Sequence, residues 1–425
     1  MASKDMPQEK GRVFYGWFAL AGVMLVIFTM SGAFVNSFSV FLPVISDDFG
    51  WSRAAVAAAL SIGIISFGLP SPIFGYFVAR FGARFALIVG NAVGALAIAS
   101  LGLMQELWQF YGLYVLAGLG GGFGGYIACS TVVNNWFIRK RSLALGLFTA
   151  CGSLGGFIFP PIVTAMIESI GWQITWASLG GMVMVLGVVT GGVVLARNRP
   201  EDMGQFPDGV PPSVFVEKKL EESIPEKTEG RNMKRIVREP AVWLIALFSA
   251  ANAFTLGTIS THQVAYVQDI GYAAMTAATT MSVMHALSVI GSVVFGALAL
   301  RLNIRFLAVA GFAFQLAALL VLLSTQELGL IYVYAVLIGV GNGALMTALP
   351  TFIGAYFGRE RYAQVLGIVL PFQVVSQGIS ATVAGAIYDT AGNYIPAFIV
   401  AIGCSVLGII AVFLARRPKA VSYEG

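Results

Sequence analysis

Charge is what this sequence has least of. Only 11% of its 425 residues are Asp, Glu, Lys or Arg, where a soluble domain carries about 25%. The complement is 58% hydrophobic, more apolar surface than a soluble fold of this size can hide. Cysteine is also scarce. Cys129, Cys151 and Cys404 lie in apolar segments, are odd in number and lack metal-ligand spacing. A disulfide framework and a cysteine metal site are thereby excluded, and the three read as small buried hydrophobes. There are two histidines, no paired carboxylates, no Ser-His-Asp grouping and no HExxH spacing. The chain is therefore not expected to be an enzyme, and no cofactor or metal is expected. The net charge of +5 sits in short loops and a central linker, not on a basic face with aromatic residues, so nucleic acid is not an expected partner. Barrel-type alternation is missing too, which leaves helices as the way to satisfy a backbone in a bilayer.

What is present is apolar length. Fifty glycines and 31 phenylalanines suit a packed bundle of membrane helices, where small residues let backbones approach. A helix needs about 20 apolar residues to cross the hydrocarbon core. Runs of that length predict twelve transmembrane helices at 14–43, 53–80, 83–104, 107–137, 141–168, 172–197, 241–269, 273–300, 304–324, 327–357, 361–389 and 393–415. The fold expected is all-α, with the lipid bilayer as solvent. The polar start (Met1 to Arg12) runs straight into the first hydrophobic stretch, which reads as a transmembrane helix and not as a removed signal. Residues 198–239 are rich in Glu, Lys, Arg and Pro and read as a solvated linker carrying at most one surface helix. The expected organisation is a six-helix unit over 1–197, the linker over 198–239, and a second six-helix unit over 240–425.

Lysine and arginine set the orientation. With both termini on one side, 24 of the 25 basic residues fall on that side, and only Arg53 falls on the other. By the positive-inside rule both termini are cytoplasmic, as in a multi-pass protein of a cell (inner) membrane.

The chain also repeats itself. Gly75-Tyr-Phe-Val-Ala-Arg80-Phe-Gly-Ala-Arg84 recurs 221 residues later as Gly296-Ala-Leu-Ala-Leu-Arg301-Leu-Asn-Ile-Arg305. In each copy Gly is followed by Arg five and nine residues on. Gly121, Phe137, Arg139 and Arg141 find Gly341, Phe357, Arg359 and Arg361 at an offset of 220. Two halves in parallel topology form the pattern of a transporter that rocks about a central site.

Twelve helices, this repeat, the central linker and the Gly-x-x-x-x-Arg-x-Gly-x-Arg loop resemble the major facilitator superfamily. Three stretches are similar to its bacterial members related to monocarboxylate and oxalate/formate transporters. They are Gly50-Trp51-Ser52-Arg53, the run from Asn135 through Arg139-Lys140-Arg141 to Gly146, and Arg199-Pro200-Glu201-Asp202-Met203-Gly204. The resemblance implies the major facilitator fold, alternating access and small organic anions as substrates. It also shows departures. The loop usually carries an Asp before its first Arg, as part of a latch; Ala79 and Leu300 stand there. Carboxylate-binding relatives tend to place an Arg in helix 8 and a Lys in helix 11, near Ser292 and Gln373 here. Tyr126 falls where such relatives have a substrate-contacting tyrosine.

Inside the spans the ionisable side chains that stand out are His262 and His285, functional suspects by default and the candidates for proton coupling. Four polar stripes follow helical spacing: Gln373, Ser376, Gln377 and Ser380; His285, Ser288 and Ser292; Asn252, Thr255 and His262; Tyr126, Ser130 and Asn134. Either they line a passage or they bond neighbouring helices. Asn36 and Asn342 add to the set. The expected substrate contacts are Tyr126, His262, His285, Ser292, Gln373, Gln377, Asn36 and Asn342. Gly75, Arg80, Arg84, Gly296, Arg301 and Arg305 form the gating loops. Gly118 to Gly125 reads as close helix packing or a flexible gate, and Pro160, Pro161 and Pro371 as kinks.

The function expected is a monomeric secondary transporter that moves a small organic acid, with a proton as candidate coupling ion. The alternative is a transporter or exporter of neutral, largely apolar compounds. A transporter-like sensor that binds without turnover is the third reading.

Overall fold

The computed structural model describes residues 14–51, 53–209 and 233–416. The regular structure there is helical. Before the linker lie α1 (Gly16–Met30), a π-helical turn (Ser31–Asn36), α2 (Phe38–Phe49), α3 (Arg53–Gly68), α4 (Ser71–Phe81), α5 (Ala83–Ser100), α6 (Leu107–Gly124), α7 (Tyr126–Trp136), α8 (Arg141–Ile170), α9 (Trp172–Met182) and a π-helical stretch (Val183–Leu195). After it come α10 (Met233–Arg238), α11 (Pro240–Asp269), α12 (Ala274–Leu298), α13 (Ile304–Ser324), α14 (Leu328–Ala391) and α15 (Ile395–Leu414). Ten helical segments are long and apolar enough to cross a membrane, or eleven when α3 and α4, bent by 45°, are taken as one. One of the ten is the long run of α14.

The breaks fall at glycines and at the turn before Ser71, not at the prolines inside helices. α8 continues through Pro160 and Pro161, and α14 continues through Pro350 and Pro371. The non-helical backbone in α14 is at Gly358, whose φ of 67° is open to glycine and strained for other residues. α6 and α7 part at Gly125. The glycine run before that break is packing surface. A Cβ on Gly118 would stand 2.2 Å from the Gly63 carbonyl oxygen, and one on Gly122 would stand 2.3 Å from that of Phe67.

The core is continuous at one end and divided at the other. At the end carrying the basic loops, one large apolar cluster joins Val78, Trp136, Phe137, Leu145 and Phe148 before the linker to Phe352, Phe357, Tyr362 and Leu366 after it, beside a small one of Phe295, Leu307 and Ala344. At the far end there are two clusters. One, around Phe41, Tyr114 and Trp176, is built from α1–α3, α5, α6, α8 and α9 with the π-helical stretches; the other, around Tyr266, Tyr334 and Phe398, is built from α11–α15.

The linker begins as structure, not as solvated chain. Asp208 holds φ 57° and its carboxylate accepts the backbone N–H groups of Ile138, Arg139 and Lys140 at 2.9, 2.6 and 3.2 Å. The Asn198 side chain accepts the Arg84 N–H at 2.7 Å, and Ile236 is buried in the shared core. The apolar Val214-Phe215-Val216 stretch lies outside the described residues, as do Met1 to Arg12.

Candidate functional site

Each loop glycine seats one helix on another. A Cβ on Gly75 of α4 would stand 2.4 Å from the Ala363 carbonyl oxygen of α14, and Ser71 donates to the Gly367 carbonyl at 2.9 Å. A Cβ on Gly296 of α12 would stand 2.7 Å from the Ser142 carbonyl oxygen of α8. These two seams join the helices before the linker to those after it, and both lie at the basic-loop end. Thr149 and Thr347 share a hydrogen bond across the same junction at 3.2 Å.

The second arginine of each loop caps a helix C-terminus. Arg84 donates through Nη2 to the Val193 carbonyl at 2.7 Å and through Nε to that of Gly192 at 3.5 Å, at the end of the π-helical stretch. Arg305 donates through Nη2 to the Ala415 carbonyl, just past α15, and through Nε to the Tyr356 hydroxyl at 2.7 Å. A cation there meets carbonyls that have no partner within the helix and the negative end of its dipole. The first arginines differ. Arg80 reaches Tyr76 and the face of Phe81, while Arg301 is exposed.

Where Ala79 and Leu300 replace the usual aspartates, another set of charges closes the junction. Arg359 grips Glu201 through both Nη atoms at 2.9–3.1 Å, and Arg199 meets Glu360 at 3.3 Å. The start of the linker is thus tied to the turn that breaks α14. Sequence reading missed Glu201, Asp208 and Glu360 as structural residues, because acids in a charged linker read as solvated.

The polar stripes bond mainly to neighbouring helices. Asn342 Nδ2 donates to Ser288 Oγ at 3.0 Å, so one expected contact residue meets the stripe of another. Ser292 is fully buried and donates to the Gly343 carbonyl at 3.2 Å. Half-buried His285 lies on α12 one turn from Ser288. Half-buried Gln373 accepts from Ser249 at 3.2 Å, whereas Gln377 is exposed. On α11, Asn252 accepts from Gln315 of α13, and Thr255 meets Ser405 of α15. His262 lies against Tyr394 with ring centroids 5.1 Å apart. Asn36 ends the π-helical turn, donating to Ser31 at 2.9–3.0 Å. Tyr126 opens α7 against Phe148.

One cation sits deeper than its place in a basic triplet implied. Arg141 begins α8, where the span 141–168 starts, and is only 9% exposed.

A described chain that is all helix, with ten or eleven apolar segments of spanning length joined at one end through glycine seams, is a multi-pass membrane protein. Residues 23–327 and 301–424 match the Major Facilitator Superfamily, and the chain belongs to that family. It is accordingly a secondary transporter and not an enzyme. Monocarboxylate transporter 12 of Xenopus laevis is 24% identical over 426 residues, covering 95% of this chain and 90% of that protein. The oxalate:formate antiporter of Oxalobacter formigenes is 31% identical over 196 residues, 46% of this chain and 44% of that one. An uncharacterized MFS-type transporter of Bacillus subtilis (strain 168), YcxA, is 23% identical over 404 residues, 93% of each. The resemblance read from the loop motifs is thus borne out.

Proposed function

We propose that the chain moves a small, monocarboxylate-like organic acid across a cell (inner) membrane by alternating access. Two six-helix halves, 1–197 and 240–425, rock about a site between them. Twelve crossings follow when the arms of α14 on either side of Gly358 count separately and α3 with α4 counts once. The observation that carries the reading is the core, shared at the basic-loop end and divided at the far end. With both termini cytoplasmic, as the basic residues favour, that is an outward-facing state. The substrate class draws on the relatives, a monocarboxylate transporter and an oxalate:formate antiporter, and on hydrogen-bond donors in the stripes. A proton is the proposed coupling ion and a monomer the proposed working unit.

A second reading, neutral or largely apolar cargo, draws on one observation: the four stripes hold no Asp, Glu, Lys or Arg. Thermal-shift screening of the purified protein with acids and their matched amides separates the two, followed by uptake of the hits into proteoliposomes. Stabilisation and uptake of acids alone supports the first reading. Equal response to acid and amide sinks it in favour of the second.

A further inference from the structure

Among the described residues Arg141 is a buried cation without a paired carboxylate. It donates from Nε to the Phe137 carbonyl at 3.4 Å and meets no carboxylate among the described residues within ion-pair distance. The groups that act on it are the Tyr362 phenol, then Arg359, of the same sign, and Asp208, which is engaged with the backbone of residues 138–140.

Two buried polar side chains lie near it. Asn134 of α7 is fully buried, and neither its Oδ1 nor its Nδ2 has a partner. Tyr362 is fully buried in the same core, with Ser130 as the partner its hydroxyl faces and Arg141 close enough to act on it. Asn134 and Arg141 converge on one point of α14. A Cβ on Gly354 would stand 2.6 Å from Asn134 Oδ1, 2.7 Å from Arg141 Cδ and 2.9 Å from Arg141 Nη1. Gly354 is therefore the lid on this pair, and no larger residue fits there without moving them.

Buried polar atoms without partners are uncommon, and a cluster of them at a junction between helices asks for an absent ligand. A guanidinium fork, an amide and a phenol are together a donor set for a carboxylate. We propose that Arg141, Asn134 and Tyr362 form a carboxylate-binding station that is uncovered when the basic-loop end opens and Gly354 withdraws. The anion supplies the counter-charge that Arg141 lacks. While it is bound, Gly354 cannot reseat, so the station holds that end open until the anion leaves. This inference rests on the organic-acid reading. It adds a fixed positive charge that the polar stripes do not contain.

The test uses the full-length protein in oriented proteoliposomes, with lactate, oxalate and benzoate and their amides as probes. Half-saturation is measured separately at the basic-loop face and at the far face, for the unaltered chain, Arg141→Gln, Arg141→Lys and Asn134→Ala. Arg141→Gln is expected to raise half-saturation for acids at least tenfold at the basic-loop face and less than twofold at the far face. Arg141→Lys is expected to fall between, because a point charge lacks the fork. Asn134→Ala removes only an unpaired amide and should fold, so it keeps the test decisive if Arg141→Gln does not; a threefold rise at the basic-loop face is expected. If the unaltered chain prefers acids and neither variant changes either face, the station is overturned and the substrate reading stands. If the unaltered chain takes amides as readily as acids, both fall together.

Discussion

Gly75 and Gly367 meet backbone to backbone. A Cβ on Gly75 would stand 3.2 Å from the Cα of Gly367, just beyond the Ala363 carbonyl oxygen at 2.4 Å. The same contact recurs with the partners exchanged: a Cβ on Gly296 would stand 3.1 Å from the Cα of Gly146. Gly75 and Gly296 are 221 residues apart, and so are Gly146 and Gly367. The repeat in the sequence is therefore a repeat in the junction, with each loop helix seated on the helix that follows the other basic turn.

Gly75→Ala and Gly296→Ala are expected to push the basic-loop end open. Overpacking of this kind costs roughly 1–3 kcal/mol in the closed state, which is about a five- to 150-fold shift in a two-state equilibrium. Spin labels at exposed Phe81 and Leu302 should report a longer distance population in either variant. An unchanged distance distribution would show that the seam tolerates a methyl group and does not set the state.

The ion pairs between the linker and the α14 turn act on the same equilibrium more weakly. Arg359 is 14% exposed and held at two points, while the Arg199–Glu360 pair is about half exposed on both sides. Glu201→Gln should therefore loosen the closed end more than Glu360→Gln, by up to about 1 kcal/mol, with high salt mimicking the second more than the first. The exchanged double variant, Glu201→Arg with Arg359→Glu, should recover most of the loss. If the exchange recovers nothing, the charges are not acting on each other.

What could be read in advance followed from pattern, and what could not followed from depth. Apolar runs gave the helices, and the repeat of Gly75 as Gly296 located the seams. The caps on Val193 and Ala415 were hidden because their acceptors are backbone carbonyls, which every residue has. The burial of Arg141 was hidden because Arg139-Lys140-Arg141 looks like one solvated triplet. Its third member starts a helix whose first turn is buried, and nothing local marks that. The stripe of Asn252 and Thr255 had the right period, but period alone does not say which side faces a neighbour; here it meets α13 and α15.

Arg84 and Arg305 should matter to stability, while Arg301 should not. Charge-assisted hydrogen bonds to carbonyls are worth roughly 1–3 kcal/mol when lost, and these two arginines are only partly exposed. Arg84→Ala and Arg305→Ala are expected to lower the melting temperature of the detergent-solubilised protein, with Lys in their place recovering part of it. Arg301→Ala should melt with the unaltered chain. Equal losses at all three positions would mean that bulk charge, not helix capping, is being measured.

The two histidines are expected to separate under a pH series. An imidazole in water changes charge near pH 6.5, within reach of a coupling proton. His285 lies one turn from Ser288, the hydroxyl that Asn342 holds, so a charge gained there acts on a polar contact between α12 and α14. His262 instead belongs to an aromatic group in which Tyr394 stacks on Tyr388 at 4.3 Å. His285→Gln should therefore flatten the acid limb of the transport–pH profile, because Gln keeps a hydrogen-bonding side chain of similar reach but cannot take a proton. His262→Gln should leave the profile's shape alone and act on thermal stability through lost ring packing. Uptake by both variants between pH 5 and 8, each normalised to its own maximum, gives the comparison. A profile for His285→Gln that overlays the unaltered one would remove this histidine from coupling.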